Sequence, residues 1–568
     1  MKATYILPLK KLKQTSVRAA VVSLLAGLAL LNGQTERPDA EPFVLSAIAF
    51  ADSVIEHGRD QYGPEHTPLF VDGLHAHSLK PVVWEKDGQS WVLSNFASQQ
   101  ALIRLLDGLS SITGESRFQE AALEATAYAL KNLRSPNGLL YWAGHMAWDL
   151  EGERQVGQYP NVHEMKAHGP YYDFLWQVDP DRTRKLMETI WAAHILDWRL
   201  LDYNRHASTE TVLLPQWDHT FAEDIAVPFP AQGNNLSFAN VTPSLLYAGI
   251  HLAALDHNEN ALRWSRRLAW RWQQARHPET GLSGGQLSYR VHDRAQDSLG
   301  HVHPDINEAM IVATYHQESR YHRIPLVQLQ SAEKLLKLDG PYREIGQELI
   351  NWALNDLKVY AEQCYDSKSG TFVAKMINGT PLMWKEAKTD YYTPSSFAPQ
   401  KPDGQLFWGY ALAYRLSGDA FFWNMARELG KHLELGDIGS YTGTNAAAFL
   451  QTSSTQWHLI YALLEMHRAS GKPHLLQLAA RIGNNLRVMQ TESGLFPRPG
   501  REYARTGDEI PLALLHLAAA LKGRSAAMPA PSLDNQFLHA EFHAPLQEHQ
   551  QKRNDRRTYD HYVFYGPQ

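Results

Sequence analysis

The chain has 568 residues, 44% hydrophobic and 20% charged, ordinary values for a globular protein long enough to bury a large core. Its 54 Lys+Arg against 60 Asp+Glu leave a formal net charge of -6 with no large basic block, which argues against a nucleic-acid partner. A single cysteine, Cys364, rules out an intramolecular disulfide, so the core or a metal must hold the fold.

The first residues, MKATYILPLKKLKQTSVRAAVVSLLAGLALLNG, place Lys2, Lys10, Lys11, Lys13 and Arg18 ahead of an apolar run from Ala19 to Leu31. That run is shorter than the roughly 20 residues that span a bilayer. It reads as an export signal over residues 1–33, predicting a periplasmic or secreted protein. An A-x-A cleavage pattern is absent, so an uncleaved N-terminal anchor is the alternative, and no other membrane contact is expected.

From there one unit recurs. Examples are LLDGLSSITGESRFQEAALEATAYALKNLRSPNGLLYW, LHLAALDHNENALRWSRRLAWRWQQARHPETGLSGG, YREIGQELINWALNDLKVYAEQCYDSKSGTFVA, GYALAYRLSGDAFFWNMARELGKHLEL and YALLEMHRASGKPHLLQLAARIGNNLRVMQTESGLF. Each carries a helical apolar period, a short turn, a second helix and a Gly-containing loop. Gly114, Gly418 and Gly471 fall at the inter-helix turn, where a helix end wants positive φ, and Gly138, Gly281, Gly370 and Gly494 fall in the loop that follows. Those loops hold aromatics and short extended pieces, as in GLLYWAG and GLFPRPG. The expected fold is all-α, a closed (α/α) barrel of six or seven hairpins, seven favoured, over residues 34–523, with its active site at the loop end. An open helical scaffold for protein binding is the alternative. Cys364 is expected on a helix face, in the core. Residues 524–568 read as a tail, in which DHYVFYG can pair as a strand.

Candidate chemistry gathers in three segments. LLYWAGHMAWDL carries His145; YPNVHEMKAHGPYYDFLW carries His163, Glu164, Lys166 and His168; LDYNRHAST sets Arg205 beside His206, at what reads as the end of a helix through IWAAHILDWRLL. Two imidazoles and a carboxylate suit a divalent first-row metal with positions left open for substrate. No compact H-E-x-x-H spacing is present, and with 27 histidines in the chain chance clustering remains an alternative. Lys166, Arg290, Lys388, Tyr391 and Arg498 are cations or donors for an acidic saccharide, and Trp142 and Trp384 are stacking faces.

SNFASQQALIRLLDGLSSITGESRFQEAA, LLYWAGHMAWDL, VHEMKAHGPYYDFLW and WAAHILDWRLLDYNRHA, with the repeated hairpins, resemble the family 2 pectate lyases. The resemblance is clearest from Ser94 to His206 and continues as a hairpin pattern to about Leu521. It implies an (α/α)7 barrel that cleaves polygalacturonate, or a related acidic polysaccharide, by metal-assisted β-elimination. It also implies metal ligation by His145, Glu164 and His206, with Arg205 as the catalytic base and His163 a neighbouring claimant to the ligand role. The metal implied is a divalent transition ion such as Mn²⁺, with Ni²⁺ or Co²⁺ as alternatives. A guanidinium is ordinarily protonated, so a base role needs burial and nearby positive charge. Otherwise Arg205 clamps a substrate carboxylate, and a metal-bound hydroxide or a Tyr is the base.

Three other readings stay open. An (α/α)-barrel hydrolase of uronic-acid oligosaccharides would use a carboxylate pair drawn from Asp149, Asp173, Asp197, Asp218, Glu223 and Asp224. A non-haem iron oxygenase shares the ligand types but usually a β-barrel fold. A non-catalytic scaffold would tolerate loss of Glu164 or Arg205.

Overall fold

Three glycines set the architecture. Gly114, Gly418 and Gly471 end helices at φ of 82°, 67° and 68°, a left-handed conformation that reverses the chain at once. The computed structural model describes residues 37–86, 89–142, 146–157, 161–165, 169–232, 236–289, 308–315, 319–382, 397–443, 446–497 and 502–531, with 558–559 and 563–564. The segment assigned to export, residues 1–33, lies outside them. From Asp39 onward the chain forms one unit, the other being Met1–Pro38.

Among the described residues fourteen α-helices run in chain order. They are α1 (Glu41–His57), α2 (Gln100–Thr113), α3 (Ser116–Asn132), α4 (Tyr172–Val178), α5 (Pro180–His194), α6 (Thr242–Asp256) and α7 (Glu259–Gln274). Then follow α8 (Arg320–Leu335), α9 (Pro341–Cys364), α10 (Gly404–Ser417), α11 (Ala420–His432), α12 (His458–Ser470), α13 (Pro473–Arg487) and α14 (Ile510–Leu521). Consecutive helices from α2 to α13 form six hairpins, and α14 pairs with α1 to make the seventh.

The even-numbered helices line the interior and are buried over most of their surface, α6 most completely: every residue from Thr242 to Ala253 is buried. The odd-numbered helices form the outer ring and bury one face, as α7 does with Leu262, Trp264, Leu268 and Trp272 while Trp270 stays exposed. Inner helices touch in sequence, α4 with α6, α8, α10, α12 and α14 in turn, and α14 closes onto α2. The step from α2 to α4 is bridged by polar bonds: Arg104 Nη2 donates to the carbonyl of Pro170 at 3.1 Å, and Tyr171 N to Gln100 Oε1 at 2.8 Å. The fold is an (α/α)7 toroid, and its closure excludes an open solenoid. Cys364, the last residue of α9, is buried, and burial pushes its thiol up to about 12, so it is core rather than nucleophile.

One rim carries the short inter-helix turns. There the guanidinium of Arg415 takes Glu333 at 2.8 and 2.7 Å and also meets Glu465, tying α8, α10 and α12 together. The opposite rim carries the long loops and the strands. β1 (Gly73–His75) pairs with Tyr503–Arg505. β2 (Val83–Lys86), β3 (Gln89–Ser94), β4 (Met146–Asp149) and β5 (Arg154–Gly157) form a four-stranded antiparallel sheet. In the tail, Thr558–Tyr559 pairs with Val563–Phe564, in line with the strand read from DHYVFYG.

Candidate active site

Two three-residue strands from neighbouring loops at this rim make the site. β6 (Val162–Glu164) and a strand spanning His206–Ser208 pair antiparallel, with Val162 opposite Ser208, His163 opposite Ala207 and Glu164 opposite His206. Met165 N donates to the carbonyl of Arg205 at 2.7 Å and Thr209 N to that of Asn161 at 3.0 Å. Those bonds fall on the odd positions, so Glu164 and His206 form the non-hydrogen-bonded kind of pair, whose side chains approach most closely.

The strand period of two then separates two adjacent residues. Glu164 shares a face with His206: its Oε1 lies 3.7 Å from His206 Nε2 and 3.6 Å from Arg205 Nε. His163 turns to the other face, where its Nδ1 meets His194 Nε2 at 2.9 Å. The Glu164 side chain is fully buried, whereas Arg205 and His206 are 28% and 24% exposed. The carboxylate therefore sits at the base of a recess with the two nitrogenous groups at its mouth.

Arg205 and His206 do not end a helix. α5 stops at His194, and the run after it folds into β7 (Ile195–Asp197) and β8 (Asp202–Tyr203), with Leu201 at φ 56° in the turn. The cause is Trp198, whose indole is buried against Trp191, Trp217 and Trp264 at ring separations of 6.1, 5.3 and 4.8 Å. A hairpin delivers that ring to the aromatic cluster. The third strand of this stretch, β9 (His206–Ser208), is the one that meets β6. Asn204 Oδ1 accepts from His206 N at 2.9 Å, an Asx turn that presents Arg205 at its apex.

A carboxylate oxygen and an imidazole nitrogen on one face are hard and borderline donors suited to a divalent first-row cation. Two neighbouring donors of an octahedral ion with bonds of about 2.1 Å stand about 3 Å apart, so the observed 3.7 Å needs only small side-chain rotations. Glu164 and His206 thus fit a metal. Among the described residues no group of three metal-binding side chains is assembled. His145, the third ligand implied by resemblance, precedes β4 in the chain and lies outside the described residues, as do Lys166, His168, Arg290, Trp384, Lys388, Tyr391 and Arg498.

Trp142 is a correction. It is fully buried and stacks on Phe96 with ring centroids 6.0 Å apart, so it is core and offers no face to a sugar. The acids required by a hydrolase are committed or scattered. Asp149 accepts from Glu151 N and Gly152 N in a turn, Asp173 is ion-paired with Lys334, and Asp197 accepts from Leu200 N. Asp218, Glu223 and Asp224 are exposed on a loop whose Trp217 carbonyl is held by Arg263 and Trp264 of α7 on the outer ring. Two residues that sequence reasoning passed over, His194 and Asn204, prove to brace the site. A histidine at a helix end and an asparagine in a turn carry no signal of their own.

A closed helical toroid with a polar constellation at its loop rim does not by itself fix a chemistry. Residues 67–541 match the family described as "Periplasmic pectate lyase"; the chain belongs to that family and is a polysaccharide lyase. It is 28% identical over 528 residues to the pectate disaccharide-lyase of Dickeya dadantii (strain 3937), covering 88% of this chain and 93% of that relative. Among solved structures, a family 76 α-mannanase from Bacteroides thetaiotaomicron is 12% identical with a TM-score of 0.39, covering 86% of this chain and 97% of that one. A D-mannose isomerase is 14% identical with a TM-score of 0.39, over 69% of this chain and 84% of that one. Likenesses at that level say nothing about the site. No helix among the described residues is long and apolar enough to cross a membrane.

Proposed function

We propose that this lyase cleaves polygalacturonate by metal-assisted β-elimination, with Glu164 and His206, joined by His145, holding a divalent ion such as Mn²⁺, and with Arg205 as the base. The observation that carries the reading is the meeting of the buried Glu164 carboxylate with both Arg205 Nε and His206 Nε2, at 3.6 and 3.7 Å. A divalent ion held there would supply polarisation of the substrate C6 carboxylate and stabilisation of enolate-like charge.

Arg205 takes the C5 proton from its place at the apex of the Asn204 turn. The electron pair of the C5–H bond becomes the C4–C5 double bond, and the C4–O bond breaks, its electrons leaving with the glycosidic oxygen, which gains a proton. No water is consumed. Lys166 and Arg290 bind the carboxylates of neighbouring uronate residues. The family description supports a periplasmic site of action, reached through export directed by residues 1–33. The Dickeya relative, a pectate disaccharide-lyase, supports disaccharide release.

The test is ultraviolet absorbance of the conjugated uronate formed from polygalacturonate, followed with Mn²⁺, with chelator, and in Arg205→Ala and His206→Ala. A metal-dependent rise lost in both variants supports the reading. Reducing ends released without that absorbance, and without metal, would establish a hydrolase instead.

A further inference from the structure

Behind the face that carries Glu164, β6 is gripped by a buried pair of imidazoles. His163 and His194 are both fully buried, with Nδ1 of the former 2.9 Å from Nε2 of the latter. The other nitrogen of His194, Nδ1, lies 2.7 Å from the carbonyl oxygen of Asn204, and Asn204 N donates back to the carbonyl of His194 at 2.9 Å. Asn204 in turn accepts from His206 N through its side chain. One imidazole therefore joins the strand bearing Glu164 to the turn bearing Arg205 and His206.

The proton positions follow from the acceptors. A carbonyl oxygen only accepts, so His194 carries its proton on Nδ1. Its Nε2 lone pair then accepts, and His163 Nδ1–H donates. This directional chain works with both rings neutral, and each bond is made in a dry interior where hydrogen bonds are stiff. His194 is also the last residue of α5, so the clamp is anchored on a helix rather than on a loop.

We propose that the His163–His194 pair is the positioning element of this site, setting the separation of Glu164 from Arg205 and His206. The proposal rests on the assignment of those three residues to the active site. Neither imidazole touches substrate; both act through the strand and turn they join. Partners that orient metal ligands in this way change metal affinity or activity by about 10- to 100-fold when removed.

The experiment compares His163→Phe, which keeps a flat ring without a donor, with His163→Asn, whose side-chain N–H sits where Nδ1–H did. In the first, kcat should fall at least about tenfold with KM within about threefold, and the Mn²⁺ dissociation constant, read by paramagnetic resonance without substrate, should rise by a similar factor. In the second, both should return to within about threefold of wild type. His194→Gln, which keeps an acceptor toward His163 but loses the bond to Asn204, should behave like His163→Phe and serves if that variant does not fold. Crystal structures give a readout independent of activity: the Glu164–His206 separation should widen in His163→Phe and stay near 3.7 Å in His163→Asn. Wild-type kcat with an unchanged separation in both variants overturns the proposal, and so does equal loss in both, which would mean that ring packing alone matters. Wild-type protein that neither eliminates nor binds Mn²⁺ would sink the functional assignment instead, while the crystallographic separation would still decide the positioning role.

Discussion

Replacing Glu164 with Gln preserves the shape of the site and removes its charge. The carboxylate stands 3.6 Å from Arg205 Nε and 3.7 Å from His206 Nε2. A unit-charge pair at that distance is worth ~5 kcal/mol at an effective dielectric of about 20 and ~1 kcal/mol in water. This contact straddles the two regimes, because Glu164 is wholly buried and Arg205 is 28% exposed. Roughly 2 kcal/mol of attraction is therefore set against the cost of keeping a carboxylate out of water, which is of similar size. Glu164→Gln should change metal-free stability by less than about 1 kcal/mol, since attraction and desolvation vanish together. Arg205→Ala should cost about 2 kcal/mol, because it removes a cation and leaves the buried charge in place.

Function should run the other way round for metal binding. Glu164→Gln should weaken Mn²⁺ at least about 100-fold, beyond the usual effect of losing a mere supporting partner, while Arg205→Ala should leave that affinity within about tenfold. Denaturant unfolding in chelator gives the stability order, and a resonance titration gives the affinities. Glu164→Gln with wild-type Mn²⁺ affinity would refute the ligand assignment. Glu164→Gln less stable than Arg205→Ala would refute the electrostatic reasoning itself.

Arg205→Lys keeps a cation beside Glu164 but loses the planar guanidine, so kcat should fall at least about 100-fold with little change in melting temperature; a near-normal kcat would move the base elsewhere. Asp356 receives Arg320 at 2.9 and 2.7 Å and also Arg276, so Asp356→Ala strands two guanidinium groups, Arg320 fully buried, and should cost about 3–5 kcal/mol in denaturant unfolding. Burial lowers His458 to about 4 and His516 to about 3, against an ordinary 6.5. The unfolded chain then binds the extra protons, so stability present above pH 6.5 is lost as pH falls toward 4 and below. His516→Phe should make the melting temperature fall less steeply across that window, and an unchanged slope would show that His516 is not held neutral.

The repeated hairpins were readable because each is local: an apolar period, a glycine at the helix end, a second period. Closure was expected from the long aromatic loops and from resemblance, but the contacts that make it were not legible, because they join the far ends of the chain. Ser46 meets Gln490 at 2.6 Å and Lys522 meets Glu41 at 3.1 Å, and no local pattern announces either contact. The ligand-type residues were legible from their chemistry and from resemblance. Their arrangement was not, because strands of three residues are too short for alternation to show. The run IWAAHILDWRLL misled for a related reason, since its apolar spacing suits a helix as well as it suits a hairpin that carries Trp198 to its cluster. Trp142 shows the same ambiguity in reverse: an aromatic in a loop can face a sugar or the core, and Phe96 decides for the core.

That short strand explains why the rim needs a helical anchor. With a period of two, a slip of one residue in β6 would turn Glu164 inward against His194 and push His163 into the mouth of the recess. Three paired residues alone specify such a register weakly. The added specificity comes from the inner face, where His163 meets His194 in a directional bond, and from Asn204, whose backbone returns to the same helix end. A toroid of seven hairpins brings seven outer-helix ends to one rim, and α5 uses its own to hold a strand and a turn in register. The geometry of the reactive face is thus inherited from a rigid helix through an imidazole pair, rather than left to the loops that carry it.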